Sequence, residues 1–298
     1  MLFALTLVAP EPHPLPTAQS RAAQALAGQG AQVRAPRFLG PAALDLEVEA
    51  PEGALFALRQ AAADAAWGLP VDVCLQGAEG RRKRLLISDM DSTIVACECI
   101  DELADFMGIK AEIAAITERG MRGEIDFEAG LRERVAMLKG LPLTDVDRCI
   151  AERVTLNPGA RTLVRTMAAD GAECLLVSGG FTLFVEEVAR EVGFHRSLSN
   201  VLETAGGALT GKVVGPVFGS ARKLATLQEA AGRLGLELVQ TLAVGDGAND
   251  LGMIEAAGLG VAYRAKPVVA ARADARVDHA DLTALLYFQG YGAEDFAT

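Results

Sequence analysis

The sequence predicts an α/β protein: a Rossmann-like parallel sheet with an inserted helical cap, preceded by a smaller βαββαβ domain. Three observations carry that prediction. From residue 85 onward, short apolar runs recur at 85–88, 174–178, 241–244 and 259–262, each closed by a polar or Gly-rich turn and separated by longer helical stretches. That is the pattern of buried parallel strands covered by helices. Between the first two runs, residues 96–155 read as helical throughout, far more chain than a crossover connection needs, so a helical cap is expected above the sheet edge. The first 77 residues read strand, helix, strand, strand, helix, strand, which is the ferredoxin-like order.

Taken in order, residues 2–8 form an apolar first strand, and 17–28 carry Ala18, Ala22, Ala25 and Leu26 at helical spacing. Strands follow at 31–39 and 43–49, separated by Gly40-Pro41. In the second of them Leu44, Leu46 and Val48 alternate with Asp45, Glu47 and Glu49, which predicts one wet face. Residues 52–68 place Leu55, Leu58, Ala62 and Ala65 on one helical side, and 71–75 close the unit. The domains are thus expected at 1–77 and 85–298, joined by a linker at 78–84. The linker ends in the basic run Arg81, Arg82, Lys83 and Arg84, read as a solvated lead-in to a strand rather than a nucleic-acid patch. Residues 282–288 read as an amphipathic final stretch.

A length of 298 residues suits two domains, and a hydrophobic fraction of 51% supplies a core and excludes wholesale disorder. Lys and Arg number 28 against 39 Asp and Glu, a net charge of −11. That balance argues against nucleic acid or an anionic membrane as partner, since both reward clustered cations. A phosphorylated substrate is still compatible if a metal supplies local positive charge. No apolar run approaches the length of a membrane span. The apolar N-terminus lacks a basic leader and runs into Pro10, Pro12 and Pro14, so it reads as a strand and not a signal peptide. Five cysteines form no disulfide framework. Cys97 and Cys99 lack the second pair or histidines a zinc site needs, and read as free thiols. A soluble protein in the reducing cytoplasm is expected.

Three predicted strands end in polar clusters: Asp89-Met-Asp91-Ser-Thr93, Ser178-Gly-Gly180, and Gly245-Asp246-Gly-Ala-Asn249-Asp250. In parallel sheets ligands bind at the carboxyl ends of strands. Two aspartates one residue apart after a buried strand repel each other unless a cation sits with them. Hard oxygen donors with no convergent His or Cys favour Mg²⁺ over zinc. The competing reading, turn formers and helix caps, loses ground when two carboxylate clusters and Ser178 stand at corresponding strand ends. Gly179 and Gly180 are read as opening a helix whose backbone N–H groups approach an anion. Lys223 opens another helix, on which Leu224, Leu227 and Ala231 form the apolar stripe. If 127–139 is a helix of about 100° per residue, Leu131, Arg134 and Leu138 share the face of Phe127, while Arg132, Glu133 and Lys139 lie off it. An arginine on an apolar face serves either an internal ion pair or the carboxylate of a substrate. Glu98 shares a helix face with Asp101, Glu102 and Asp105 and by itself reads as solvated.

In their order and placement these residues resemble the four motifs of the haloacid-dehalogenase-like (HAD) phosphohydrolases, over nearly all of 85–288. The strings Glu98-Cys-Ile-Asp101-Glu102, Leu131-Arg-Glu-Arg-Val135, Val177-Ser-Gly-Gly-Phe181 and Ala265-Lys-Pro267 further resemble the phosphoserine phosphatases of that family. The resemblance implies the HAD fold and Mg²⁺-dependent hydrolysis of O-phospho-L-serine through an aspartyl-phosphate, as the last step of serine biosynthesis. It implies Asp89 as nucleophile and Asp91 as acid and base. The Asp89 side chain, the Asp91 backbone carbonyl and the Asp246 side chain would hold the metal. Ser178, Gly179, Gly180, Lys223 and Asn249 would bind phosphate, with Asp250 orienting Lys223 or a metal-bound water. Arg134 and Glu98 would take the substrate's carboxylate and ammonium, and Met121 and Phe127 would close over it. The N-terminal unit resembles an ACT domain in element order. That implies a homodimer or scaffold through this domain; the competing reading of an αβ unit with an apolar face is simple packing on the catalytic domain. Two other functions compete: action on another small phosphorylated metabolite such as phosphohomoserine, and a regulatory binding protein with a dead core. The complete catalytic set argues against the second.

Overall fold

The computed structural model describes residues 1–121 and 124–297, side chains of residues 120 and 121 excepted. The chain opens with β1 (Leu2–Val8), α1 (Leu15–Gly28), β2 (Gln32–Val33), β3 (Arg37–Gly40), β4 (Ala43–Glu49), α2 (Leu55–Ala66) and β5 (Asp72–Gly77). The strands form an antiparallel sheet in the order β2–β4–β1–β5, with β3 also on β4. The strand expected at 31–39 is thus two short pieces. Pro36 lies between them and has no N–H to give the ladder, so β2 pairs with the far end of β4 and β3 with its beginning.

One face of this sheet buries Phe3, Leu5, Leu7, Leu44, Leu46 and Val48 against Ala18, Ala22, Leu26, Leu58 and Ala62 of the two helices. The opposite face carries Thr6, Val8, Ala43, Asp45, Cys74 and Gln76, all buried. The wet face predicted for β4 is therefore dry at Asp45, which is 7% exposed. It is covered by the chain's own last helix. By this face the unit packs, through that helix, on the rest of the chain.

The seam between the two units is polar at its centre. Arg81 donates to both carboxylate oxygens of Asp45 (2.8 and 3.0 Å), to Thr6 Oγ1 (2.8 Å) and to Phe288 O (3.1 and 3.2 Å). Thr6 donates to Asp45 (2.7 Å), and Gln76 also holds Phe288 O (2.8 Å). At the sheet edge, Asp72 accepts backbone N–H bonds from Asp278, His279 and Ala280. The basic run is thus a solvated lead-in only at Arg82 and Arg84. Arg81 answers the buried Asp45, and Lys83, 4% exposed, donates to Gly80 O and Val239 O, while Arg82 and Arg84 alternate outward. Residues 282–288 are not amphipathic either. From Ala284 to Phe288 every residue is buried, because this helix lies between the two units.

The second sheet begins with β6 (Leu85–Ser88). The chain then enters α3 (Cys99–Phe106), α4 (Lys110–Met121), α5 (Phe127–Met137) and α6 (Leu143–Arg153), the predicted cap. It returns through α7 (Ala160–Ala169), β7 (Glu173–Phe181), α8 (Thr182–Val192), β8 (Arg196–Ala205), β9 (Ala208–Val214) and α9 (Ser220–Leu234). It finishes with β10 (Thr241–Gly245), α10 (Leu251–Ala256), β11 (Leu259–Tyr263), α11 (Pro267–Ala270), β12 (Ala275–Val277) and α12 (Ala284–Phe288). The sheet order is β12–β11–β10–β6–β7–β8–β9, parallel from β12 to β8. The chain leaves β6 to one side and returns later to its other side, so the strand order reverses at β6 and opens a crevice at its carboxyl end.

The antiparallel hairpin β8–β9 was not predicted. It anchors the cap: Gly140 N donates to Leu209 O and Leu143 N to Gly207 O. The cap's other anchor is its stem, where Val95 bridges Leu156 and the side-chain amide of Asn157 donates to Thr93 O (2.8 Å) and Val95 O (3.1 Å).

Candidate active site

β6 is buried along its whole length, and its ladder continues one residue further, with Asp89 N donating to Val244 O (3.0 Å). This fixes Asp89, 4% exposed, at the crevice floor. The chain then turns sharply: Ile94 N and Val95 N both donate to Met90 O, and Ser92 takes a left-handed φ of 57°. Such a conformation is strained for a residue with a Cβ. The turn brings Ser92 Oγ onto Glu98 Oε1 (2.8 Å). Asp91 is gripped from two sides. Cys99 N at the start of α3 donates to Oδ1 (2.9 Å), and Ser178 Oγ donates to Oδ2 (3.1 Å).

Ser178 and the two glycines do not open a helix. They continue β7 in an extended path that ends at Phe181, and α8 starts only at Thr182. Gly180 N donates to Ser178 Oγ (2.8 Å). A Cβ on Gly180 would lie 3.0 Å from both Asp91 Oδ2 and Ser178 Oγ, which explains the glycine. In the β10 turn, Gly247 N donates to Asp250 Oδ2 (3.1 Å), and a Cβ on Gly245 would sit 2.5 Å from the Asp250 carboxyl carbon.

Lys223 comes from the first turn of α9 and is wholly buried. Its Nζ donates to Asp89 Oδ1 (2.5 Å) and Asp250 Oδ1 (2.7 Å). Burial works against its charge, but the two carboxylates outweigh burial and raise its pKa. Asp89 is pushed well above the carboxylate range by burial and by the Asp250 charge, with Lys223 opposing. Burial and then Asp250 raise Asp246 to about 6.

Carboxylate oxygens of Asp89, Asp246 and Asp250 lie within 4.8 Å of one another. The donor set is all oxygen, and burial and then the Asp250 charge already raise two of the three acids. The residues therefore fit a hard divalent cation, which offsets that excess of negative charge. The Asp91 side chain stands apart from this cluster, engaged with Cys99 and Ser178.

A cavity of about 240 Å³ lies above the floor, below the range of roughly 300–1,000 Å³ for drug-sized sites and suited to a small metabolite. Asp89, Asp91, Gly179, Gly180, Asp246 and Asn249 line its lower part, and Glu98, Phe127 and Arg134 come from the cap side. Burial, then the Asp91 charge, lift Glu98 to about 7. Arg134 is half-buried, and its Nε donates to Gly130 O (3.3 Å). Burial lowers its pKa, with Asp101 and Glu98 opposing at longer range. Among the described residues no carboxylate forms a direct ion pair with it, so the internal ion pair left open by the sequence is not found there. The Phe127 ring lies over the two glycine turns, its carbons 3.6 Å and 3.4 Å from where a Cβ would stand on Gly179 and Gly219.

Of the residues singled out in the sequence, Ser178, Lys223 and Asp250 lie in the layer beneath the cavity wall; Ser178 and Lys223 touch its carboxylates, and Asp250 holds Lys223. The side chain of Met121 lies outside the described residues. Five wall residues were not predicted: Ile100, Leu131 and Phe181, which are apolar, Gly247, and Lys266, whose backbone N donates to Asp246 O (3.0 Å). Each belongs to a string that carried the resemblance, so a signal was present.

Residues 86–255 match the family model for haloacid dehalogenase-like hydrolases, and the chain belongs to that family. Within it, the chain is 45% identical over 249 residues to the phosphoserine phosphatase SerB2 of Mycobacterium tuberculosis, covering 83% of this chain and 61% of that protein. It therefore spans about three fifths of that longer relative. It is 46% identical over 224 residues to a phosphoserine phosphatase of a Polaromonas species, covering 74% and 95%. The unliganded structure of a probable phosphoserine phosphatase from Vibrio cholerae superposes with a TM-score of 0.79 at 31% identity, covering 98% of this chain and 88% of that one.

Proposed function

We propose that this protein is a Mg²⁺-dependent phosphomonoesterase that hydrolyses O-phospho-L-serine to L-serine and phosphate. One observation carries the substrate choice. Arg134 and Glu98, opposite in charge, face the same small cavity as the buried carboxylate cluster, and together they complement an amino acid's carboxylate and ammonium. The relatives named as phosphoserine phosphatases support the same reading.

In the proposed reaction an Asp89 carboxylate oxygen attacks phosphorus, the bond from phosphorus to the serine oxygen breaks, and Asp91 gives its proton to that oxygen. A water then attacks the aspartyl-phosphate and passes a proton to Asp91, and the Asp89 carboxylate leaves with phosphate released. Ser178 holds Asp91 in place from beneath the cavity wall, and the Gly179–Gly180 backbone on that wall would face the phosphoryl oxygens. Lys223, kept charged by Asp89 and Asp250, offsets charge on Asp89, and Asn249 and Lys266 would face the phosphate from the cavity wall. Asp89, Asp246 and the backbone carbonyl of Asp91 would hold Mg²⁺, which orients the phosphoryl group and offsets its charge. Phe127, with the apolar Ile100 and Leu131, would exclude water when it closes over the substrate.

No helix among the described residues is long and apolar enough to cross a membrane. The proposal includes a cytoplasmic location, supported by five free cysteines. The test is phosphate release from O-phospho-L-serine with Mg²⁺ and with EDTA, for wild type and Asp89→Asn, beside a sugar phosphate. Metal-dependent release that prefers phosphoserine and vanishes in the variant is expected. Release from the sugar phosphate alone would overturn the substrate, and EDTA-insensitive release would overturn the metal.

A further inference from the structure

Asn200 lies in β8, outside every motif, and is 2% exposed. β7 and β8 pair regularly up to Val177 opposite Leu198, and again at Phe181 opposite Asn200. Between these pairs β7 advances four residues and β8 two, so Ser178, Gly179 and Gly180 leave the ladder as a bulge. Bulges commonly re-aim a chain next to an active site. The Asn200 side chain occupies the place of the missing ladder bonds. Its Nδ2 donates to Gly179 O (2.8 Å) and to Phe218 O (3.3 Å), and its Oδ1 accepts from Phe218 N (2.7 Å). Thr182 Oγ1, in the first turn of α8, donates to Asn200 O (2.9 Å).

Two consequences follow from peptide geometry. In a planar trans peptide the C=O and the next N–H point in opposite directions. Drawing Gly179 O toward Asn200 therefore turns Gly180 N–H the other way, toward Ser178 Oγ and the cavity. The second grip, on both polar groups of Phe218, fixes the residue before Gly219. Gly219 caps α9, and Lys223 N donates back to Gly219 O (3.1 Å). One side chain thus sets the Gly180 N–H and the root of the Lys223 helix relative to each other.

We propose that Asn200 is the positioning residue of the phosphate subsite, registering the Ser178–Gly180 bulge against the α9 N-terminus so that Gly180 N–H and Lys223 converge on one phosphoryl group. The inference rests on the phosphomonoesterase reading above. It separates Asn200 from a residue that merely fills the core, because its effect falls on phosphate and not on the amino-acid end of the substrate.

The test uses Asn200→Asp, which keeps the size and the acceptor but loses the donor, and Asn200→Ala, which loses both. Turnover of O-phospho-L-serine is measured with inhibition constants for inorganic phosphate and for L-serine, alongside circular dichroism and melting. Displacing such a group is expected to lower kcat by roughly 10- to 100-fold. The inhibition constant for phosphate should rise by about tenfold, the energy of one lost charge-assisted contact, with that for L-serine within about twofold of wild type. Equal shifts for both inhibitors, or none in a folded variant, would overturn the proposal. So would failure of both variants to fold, which assigns Asn200 to the fold alone. Wild type that releases no phosphate from phosphoserine would overturn the substrate reading instead. Calorimetric binding of inorganic phosphate to wild type and variants would then still decide the role of Asn200.

Discussion

Replacing Arg134 with Gln tests the substrate reading most sharply, because the substrate itself can be truncated to match. Arg134 projects from the α5 face that buries Leu131 and Val135, with Glu98 and Asp101 acting on it at longer range. Truncating one partner of a buried, hydrogen-bonded charge pair costs about 2–5 kcal/mol. Arg134 is only half-buried, so the lower part of that span applies, about 2–3 kcal/mol, or roughly 30- to 150-fold in kcat/KM at 1.36 kcal/mol per tenfold. Phosphoethanolamine keeps the phosphate and ammonium of phosphoserine and lacks the carboxylate. Its kcat/KM should already be low with wild type and change by less than about threefold in the variant, since the lost partner was never paired. The assay is phosphate release by both proteins on both substrates, which closes a cycle of enzyme and substrate changes. Equal losses on the two substrates would mean that Arg134 supports the cap rather than reading the carboxylate. No loss on phosphoserine would remove it from the site.

The structure carries three more predictions. Gly180→Ala keeps an ordinary backbone conformation but sets a methyl 3.0 Å from Asp91 Oδ2 and Ser178 Oγ, so kcat should fall by about 100-fold with the unfolding midpoint little changed; unaltered turnover would refute the crowding. Glu98, raised to about 7 by burial and Asp91, is neutral below that pH and then offers no charge to an ammonium. The kcat/KM for phosphoserine should therefore fall as pH drops through about 7, and Glu98→Gln should remove that limb; a limb that persists in the variant assigns it to another group. Arg81→Leu leaves the buried Asp45 with Thr6 Oγ1 at 2.7 Å and Arg37 at 3.4 Å and should cost about 3 kcal/mol in denaturant unfolding, the lower end for a broken buried pair, most of it recovered in Arg81→Leu/Asp45→Leu; a loss below about 1 kcal/mol would show that the seam is held by its apolar contacts.

The sheet, the cap and the strand-end clusters were legible because each rests on a local signal. Apolar runs of strand length, a helical excess between two of them, and carboxylates where a buried strand ends all survive without tertiary knowledge. What escaped depends on partners distant in sequence. The β8–β9 hairpin did carry a turn signal, Gly206-Gly207, both with positive φ. Its strands mix polar and apolar residues, because one side faces the cap and the other lies half in solvent. Asp45 read as wet and Arg81 as solvated, yet they meet at 2.8 Å across 36 residues of chain. Either charge alone obeys the rule for surface residues, and only the docked last helix reverses it. Asn200 left no trace because an asparagine in a strand has no periodicity of its own.

The two ends of the site have different mechanical footings, and hydrogen bonds across the turn after β6 join them. Asp89, Ser178 and Lys223 are set by buried strands, a bulge held by Asn200 and a fully buried ion triad. Glu98, Phe127 and Arg134 ride on the cap, anchored at the Asn157 stem and at the β8–β9 hairpin. Ser92 Oγ donates to Glu98 Oε1 (2.8 Å), and Cys99 N donates to Asp91 Oδ1 (2.9 Å). Cys99 directly follows Glu98, so the backbone that would carry the ammonium ligand also orients the carboxyl proposed to move the proton. An amino acid drawing Glu98 inward would therefore load Asp91 through the adjacent peptide. A phosphate ester lacking the ammonium would leave that peptide where it stands. On this geometry discrimination falls on kcat as well as KM, which is how binding energy from a remote part of a substrate is spent in the transition state.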